Sequence, residues 1–300
     1  MIKRILCPTD LSEASRHAIA HATAIARWYR ASLTILHVCD VVLASIPGLP
    51  ASESGEMPEA ELRRIREQMA ASCAAATAAG IGVDLIVETG RPAARILASA
   101  EELRADLIVI GTHGAGGFEH MLLGSTTEKV LRKASCAVLT VPPHAAGSTL
   151  PFKRILCAVD FSQWSLRALE LARSLAAESG AALTALSVIE WPWEEPPPPT
   201  FADLPAEQAA ALLDYRLSVE AGAMQRLKSL SNDRPGSVAL EPRLSHGKPA
   251  ARILVTATEI GADLIVIGVH GRKGLDLRVF GSTANQVVRQ ATCPVVTLRS

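Results

Sequence analysis

A chain that repeats its own landmarks at a fixed distance must build one unit twice, and this 300-residue chain does so. Lys3-Arg4-Ile5-Leu6-Cys7 returns as Lys153-Arg154-Ile155-Leu156-Cys157, and Asp10 returns as Asp160, 150 residues on. Leu33-Thr34 through Val38 matches Leu183-Thr184 through Val188 at the same distance. Gly90-Arg91-Pro92-Ala93-Ala94-Arg95-Ile96-Leu97 matches Gly247-Lys248-Pro249-Ala250-Ala251-Arg252-Ile253-Leu254, now 157 residues apart. Ala105 through Gly111 matches Ala262 through Gly268 at that second distance. The second copy has therefore gained seven residues (157 − 150), placed in the Trp191-Pro192-Trp193-Glu194-Glu195-Pro196 stretch that runs on to Pro199. The units are read as 1–143 and 153–300, with 144–152 as the linker.

Within each unit, short β-branched runs alternate with helical patterns. In the first, strands are predicted near 2–7, 32–38, 83–88, 106–110 and 137–141, and helices near 12–29, 58–79, 92–104 and 125–134. Ala18, Ala22, Ile25 and Tyr29 recur three to four apart, as one face of a helix requires. Leu107-Ile108-Val109-Ile110 is apolar throughout, as a strand covered on both faces should be. The fold class is α/β, with two tandem doubly wound parallel sheets. The Pro-, Ser- or Gly-rich segments 41–57 and 191–206 read as loops over the sheets.

Charge narrows the partners. Lysine plus arginine and aspartate plus glutamate are 30 each, for a net charge of zero, which argues against nucleic acid or an anionic membrane. Aromatics are only 4%, too few for a base-stacking platform. No apolar run approaches the roughly 20 residues of a membrane helix. Ile2 to Cys7 reads as a first strand rather than a signal peptide, which makes the expected location cytoplasmic. Six cysteines lie at 7, 39, 73, 136, 157 and 293 without a C-x-x-C among them, so free buried thiols are expected rather than a zinc or redox site.

The residues that carry chemistry follow the fourth strand. Gly111-Thr112-His113-Gly114 is followed by nine residues and then Gly124-Ser125-Thr126. Gly268-Val269-His270-Gly271, nine residues and Gly281-Ser282-Thr283 repeat the spacing. Glycines let backbone N–H groups approach a phosphate with no Cβ in the way. The second glycine and the serine open a helix, whose free N–H groups and positive dipole end favour an anion. The competing structural reading is a plain glycine–serine helix cap. Asp10 and Asp160 close the first strands, where ligands of open α/β sheets bind. Each is placed to accept a ribose hydroxyl or to hold Mg²⁺ through water, or else to cap the next helix.

This pattern of G-x-x-G, nine residues and G-[S/T], with an aspartate ending strand one, resembles the ATP-binding branch of the universal stress proteins. Leu122-Leu123-Gly124-Ser125-Thr126-Thr127-Glu128-Lys129-Val130-Leu131 also resembles that family, and the likeness covers both halves. The resemblance implies an adenine nucleotide alpha hydrolase-like fold: a five-stranded parallel sheet in order 3-2-1-4-5 in each half. It implies ATP as ligand, Mg²⁺ accompanying it, Val38 and Val188 as adenine contacts, and Asp10 and Asp160 toward the ribose. It further implies pairing through strand five, here 137–141 and 294–298, within one chain, and a homodimer beyond that.

The nine-residue spacers differ. Residues 115–123 carry only Glu119, a net −1, whereas 272–280 carry Arg272, Lys273, Arg278 and Asp276, a net +2. That favours the second site for a triphosphate. The GxxxxGK[ST] loop and a complete G-x-G-x-x-G after a strand are absent from the sequence. His113 and His270 read as solvated loop histidines rather than bases. The expected function is nucleotide sensing in a stress response, with at most slow ATP hydrolysis. The alternatives are an ATP-using enzyme with a second substrate under 41–57 or 191–206, and an interaction scaffold with vestigial pockets.

Overall fold

The computed structural model describes residues 2–40, 57–112, 123–143, 151–191, 204–231, 238–269 and 280–299. The first half runs β1 (Arg4–Thr9), α1 (Glu13–Tyr29), β2 (Ser32–Cys39), α2 (Glu59–Ser72), α3 (Ala74–Ala78), β3 (Val83–Thr89), α4 (Pro92–Glu102), β4 (Leu107–Gly111), α5 (Ser125–Lys133) and β5 (Ala137–Val141). The second runs β6 (Arg154–Ala158), α6 (Gln163–Ser179), β7 (Ala182–Ile189), α7 (Ala206–Ser231), β8 (Leu240–His246), α8 (Pro249–Ile260), β9 (Leu264–Gly268), α9 (Ser282–Gln290) and β10 (Val295–Leu298).

All ten strands form one sheet in the order β3-β2-β1-β4-β5-β10-β9-β6-β7-β8. Each half thus has the order 3-2-1-4-5 expected for a doubly wound unit, and its strands are parallel. The halves meet at an antiparallel seam, where Val296 faces Leu139. Two fully buried threonines bind across it: Thr140 donates its hydroxyl to the Val295 carbonyl at 3.1 Å, and Thr297 donates to Val138 at 3.4 Å. Burying a hydroxyl without a partner costs about 1–3 kcal/mol, so these bonds keep the seam free of that penalty.

The central strands are buried on both faces, and their alternate residues feed two core layers that each run through both halves. Ile5, Ile35, Val109, Leu139 and Val266 pack on the side of α1 and α6. Leu6, Leu36, Ile108, Val138 and Ile265 pack on the side of α4, α5, α8 and α9. Phe152, which the sequence reading assigns to the linker, is 1% exposed. Its ring lies 5.5 Å from Trp28 and 6.1 Å from His21, so the residue that starts the second half is anchored on α1 of the first. Tyr29 and Ser174 add a hydroxyl–hydroxyl contact of 2.8 Å between the halves.

The strands fall within one or two residues of the sequence reading. The helix predicted over 58–79 differs, because Cys73 leaves helical geometry at φ −104°, ψ 4° and divides it into α2 and α3. In the second half, α7 is a single helix of 26 residues.

Candidate functional site

In this strand order the sheet reverses between β1 and β4, and again between β6 and β9. A crevice opens at the carboxyl ends of such a pair. Four helix starts bear on these crevices, and they are finished in two ways.

The starts of α1 and α6 are closed. Ser12 and Ser162 are their N-caps, and each hydroxyl accepts the N–H three residues on, from Ser15 and Ser165. Asp10 reinforces the first cap: its Oδ1 accepts the Ser12 N–H at 3.1 Å and the Ser12 hydroxyl at 2.5 Å. Asp160 does the same for Ser162, at 3.0 and 2.6 Å. The aspartates therefore brace the capping serine rather than cap the helix themselves. Between aspartate and serine the chain passes through a left-handed residue, Leu11 and Phe161, each at φ 65°. A bulky side chain in that region is strained by about 1–2 kcal/mol. Both halves hold the same strained turn, which keeps the carboxylate at the strand end.

The starts of α5 and α9 are open. Their N-caps are Gly124 and Gly281, which have no side chain to offer, and among the described residues no side-chain capping bond is made. Ser125 and Ser282 are exposed, and Thr126 and Thr283 are half-buried. First-turn N–H groups have no partner within a helix, so these termini present donors and the positive end of the dipole. Backbone bonds hold them at the sheet. Gly124 donates to Thr112 at 2.8 Å and Thr112 to Val141 at 3.0 Å; Gly281 donates to Val269 at 3.0 Å and Val269 to Leu298 at 2.9 Å. The two stems of each glycine loop thus converge on one residue just past β4 or β9. Gly114, Gly271, His113 and His270, residues 115–122 and 272–279 of the spacers, and most of the loops at 41–57 and 191–206 lie outside the described residues.

Val38 and Val188 are half-buried on the α4/α5 and α8/α9 face, near the ends of β2 and β7. The topology therefore gathers Asp10, Val38, Gly124, Ser125 and Thr126 at the carboxyl edge of three adjacent strands, and gathers their counterparts in the second half. Gly111 and Gly268 end β4 and β9, and the second serves packing. A Cβ on Gly268 would lie 3.0 Å from the Trp164 carbonyl carbon, so the glycine admits the first turn of α6. The Gly111 carbonyl accepts the buried Thr127 hydroxyl at 2.7 Å.

Several residues beside the crevice have no single-sequence signal. Glu88, next to last in β3 and opposite Val38, receives Arg95 at 2.5 Å and Ser99 at 3.1 Å. The second half has Ser245 there, accepting Arg252 at 2.7 Å. His37 donates a ring N–H to the Thr9 carbonyl at 2.8 Å, tying the end of β2 to that of β1. In the second half Trp191 stacks on His246 at 6.0 Å, with the Arg216 guanidinium 5.1 Å from its ring, which fastens α7 over the ends of β7 and β8.

The six cysteines are unpaired thiols. Burial pushes Cys136 up to about 11 and Cys293 up to about 12, and moves Cys7 and Cys157 further in the same direction. Thiolate chemistry is therefore disfavoured at these four. Among the described residues, no group of three or more His, Cys, Asp or Glu side chains could hold a metal. Among them, too, no helix is long and apolar enough to cross a membrane.

A family model described as the Universal stress protein family matches residues 1–142 and again 151–299. A universal stress protein of Mycolicibacterium smegmatis is 31% identical over 301 aligned residues, covering 98% of this chain and 96% of that protein. One from Methanocaldococcus jannaschii is 40% identical over 143 residues, covering 47% of this chain and 82% of that protein. The crystal structure of a universal stress protein from Archaeoglobus fulgidus superposes with a TM-score of 0.66 at 23% identity, covering 99% of this chain and 98% of that one. That likeness extends the shared fold to the whole two-unit sheet.

Proposed function

The chain belongs to the universal stress protein family, and from that premise we propose that each half binds an adenine nucleotide, ATP foremost, and that the protein senses it as a regulator of a stress response. One observation carries the reading. At each strand reversal, one helix start is sealed by serine and aspartate, while the other is left open behind a glycine. An open start accepts phosphate oxygens on its N–H groups, and Ser125, Thr126, Ser282 and Thr283 add hydroxyls. Asp10 and Asp160 then face the ribose, and Val38 and Val188 the adenine. An exposed helix terminus contributes only about 0.3–1 kcal/mol per charge. Micromolar affinity needs about 8 kcal/mol, so phosphate, ribose and base contacts must act together.

Mg²⁺ fits as a companion of the phosphates rather than as a resident ion. Asp10 or Asp160 would offer it a carboxylate, already engaged with serine. When bound, it would neutralise phosphate charge. Efficient phosphoryl transfer needs a positioned cation, several metal carboxylates and an aligned nucleophile. With the Asp10 and Asp160 carboxylates engaged by their serines, the site is suited to retention and at most slow hydrolysis. The spacer charges, −1 against +2, make the second half the tighter site.

Calorimetry with ATP on the Gly124→Val and Gly281→Val variants tests both statements. Each variant should lose one of two binding events, and Gly281→Val should lose the stronger. Equal residual affinities would remove the ranking. No adenylate bound by the unaltered chain at millimolar supply would remove the function. A phosphate-release assay with Asp160→Ala as control should find turnover far below the enzyme median of about 10 per second.

A further inference from the structure

The open starts of α5 and α9 are joined by one side chain. Arg289, in the last turn of α9, donates from Nε to Asn285 Oδ1 at 2.8 Å and from Nη2 to Glu128 Oε2 at 3.1 Å. Glu128 and Asn285 occupy equivalent positions, each the fourth residue of its helix counting from Ser125 or Ser282. Arg132, the counterpart of Arg289, reaches its own Glu128 at 3.7 Å. Leu123 and Phe280, which directly precede the two capping glycines, line a common cleft of about 230 Å³ with Glu128, Arg132 and Asn285.

The two helix starts are therefore electrostatically unequal. Glu128 sets a carboxylate in the first turn of α5, where a polyphosphate meets like charge, while Asn285 sets none in α9. The cation that best offsets Glu128 comes from the other half. We infer that Arg289, a residue of the second half, sets the polyphosphate affinity of the first half by neutralising Glu128. The two sites then share one guanidinium and are linked through it. This rests on the nucleotide reading above. The side chains are 30% and 37% exposed, so water and salt screen the effect and keep it to a few-fold.

The test uses the full chain carrying Gly281→Val, so that ATP titrates the first half alone. Adding Arg289→Met should weaken ATP binding by about fivefold. Adding Glu128→Gln to that variant should restore affinity to within about twofold of the Gly281→Val parent, because the uncompensated charge is gone. Arg289→Lys, which keeps the charge, should stay near the parent, and thermal unfolding monitors the fold of every variant. A purely structural role for Arg289 predicts loss without rescue by Glu128→Gln. Unchanged affinity in Arg289→Met, or loss without that rescue, overturns the inference and leaves nucleotide binding intact. A Gly281→Val parent that binds no ATP overturns the nucleotide reading of the first half, and this inference with it.

Discussion

The two halves share strand order, capping serines, left-handed turns and open glycine starts, yet they differ at several positions around those features. Helix α1 ends at Arg30, held at φ 51°, where α6 ends at Gly180, φ 71°. Past α4 stands Arg104, φ 49°, where α8 ends at Gly261, φ 60°. His21 is buried against Phe152, whereas the matching residue of the second half is Leu171. Thr127 and Glu128 of α5 become Ala284 and Asn285 in α9. The sheet and the helix starts are set by apolar pattern and by glycine, which both copies keep. The charge around the starts is set by side chains that differ between the copies, Glu128 against Asn285.

Three changes break or sharpen the comparison. The largest effect is expected at the anchor between the halves. Phe152→Ala should lower stability by about 3–5 kcal/mol, read by denaturant unfolding, because the ring is fully buried against α1. A loss below 1 kcal/mol would mean that the halves do not depend on this contact. Next comes the exchange of helix ends. Arg30→Gly should stabilise the first half by about 0.5–1 kcal/mol, and Gly180→Arg should destabilise the second by a similar amount, since only glycine takes the left-handed region without strain. Shifts of the same sign in both variants would contradict the idea.

The smallest effect concerns acid. Burial lowers the pKa of His21 from its ordinary 6.5, with the His17 carbonyl partly opposing the shift. The unfolded chain then takes up a proton near pH 6.5 that the folded one resists. Stability from this group is therefore complete above pH 6.5 and falls as the pH drops below it. His21→Leu, which copies the second half, should flatten the decline in melting temperature between pH 7 and pH 5. A parallel decline in both proteins would show that His21 is not the cause.

Much of this was legible in the residues themselves. The repeat gave two units, Leu107-Ile108-Val109-Ile110 gave a strand covered on both faces, and Gly124-Ser125 and Gly281-Ser282 gave helix starts. The break at Cys73 was not legible, because its neighbours on both sides are good helix formers and only packing decides such a bend. Nor was the purpose of Gly268, which depends on how closely α6 approaches. The Arg289–Glu128 bridge spans 161 residues and exists only because the seam is antiparallel, which brings the end of one helix to the start of the other. Aspartate at a strand end reads as a ligand contact or a cap. Its actual bond to a capping serine two residues on needs the left-handed turn at Leu11 or Phe161, which no propensity favours.

The pairing of β5 with β10 inside one polypeptide has a consequence for the proposed binding of nucleotide. Two identical chains pairing through this edge would separate on dilution and would have to offer equal sites. Here covalent continuity supplies the effective concentration, so the partnership persists at any protein level. On the proposed nucleotide reading, every molecule carries one stronger and one weaker station in fixed one-to-one stoichiometry. On that reading, with affinities set apart, a single species would respond over a broader span of nucleotide supply than either station covers alone.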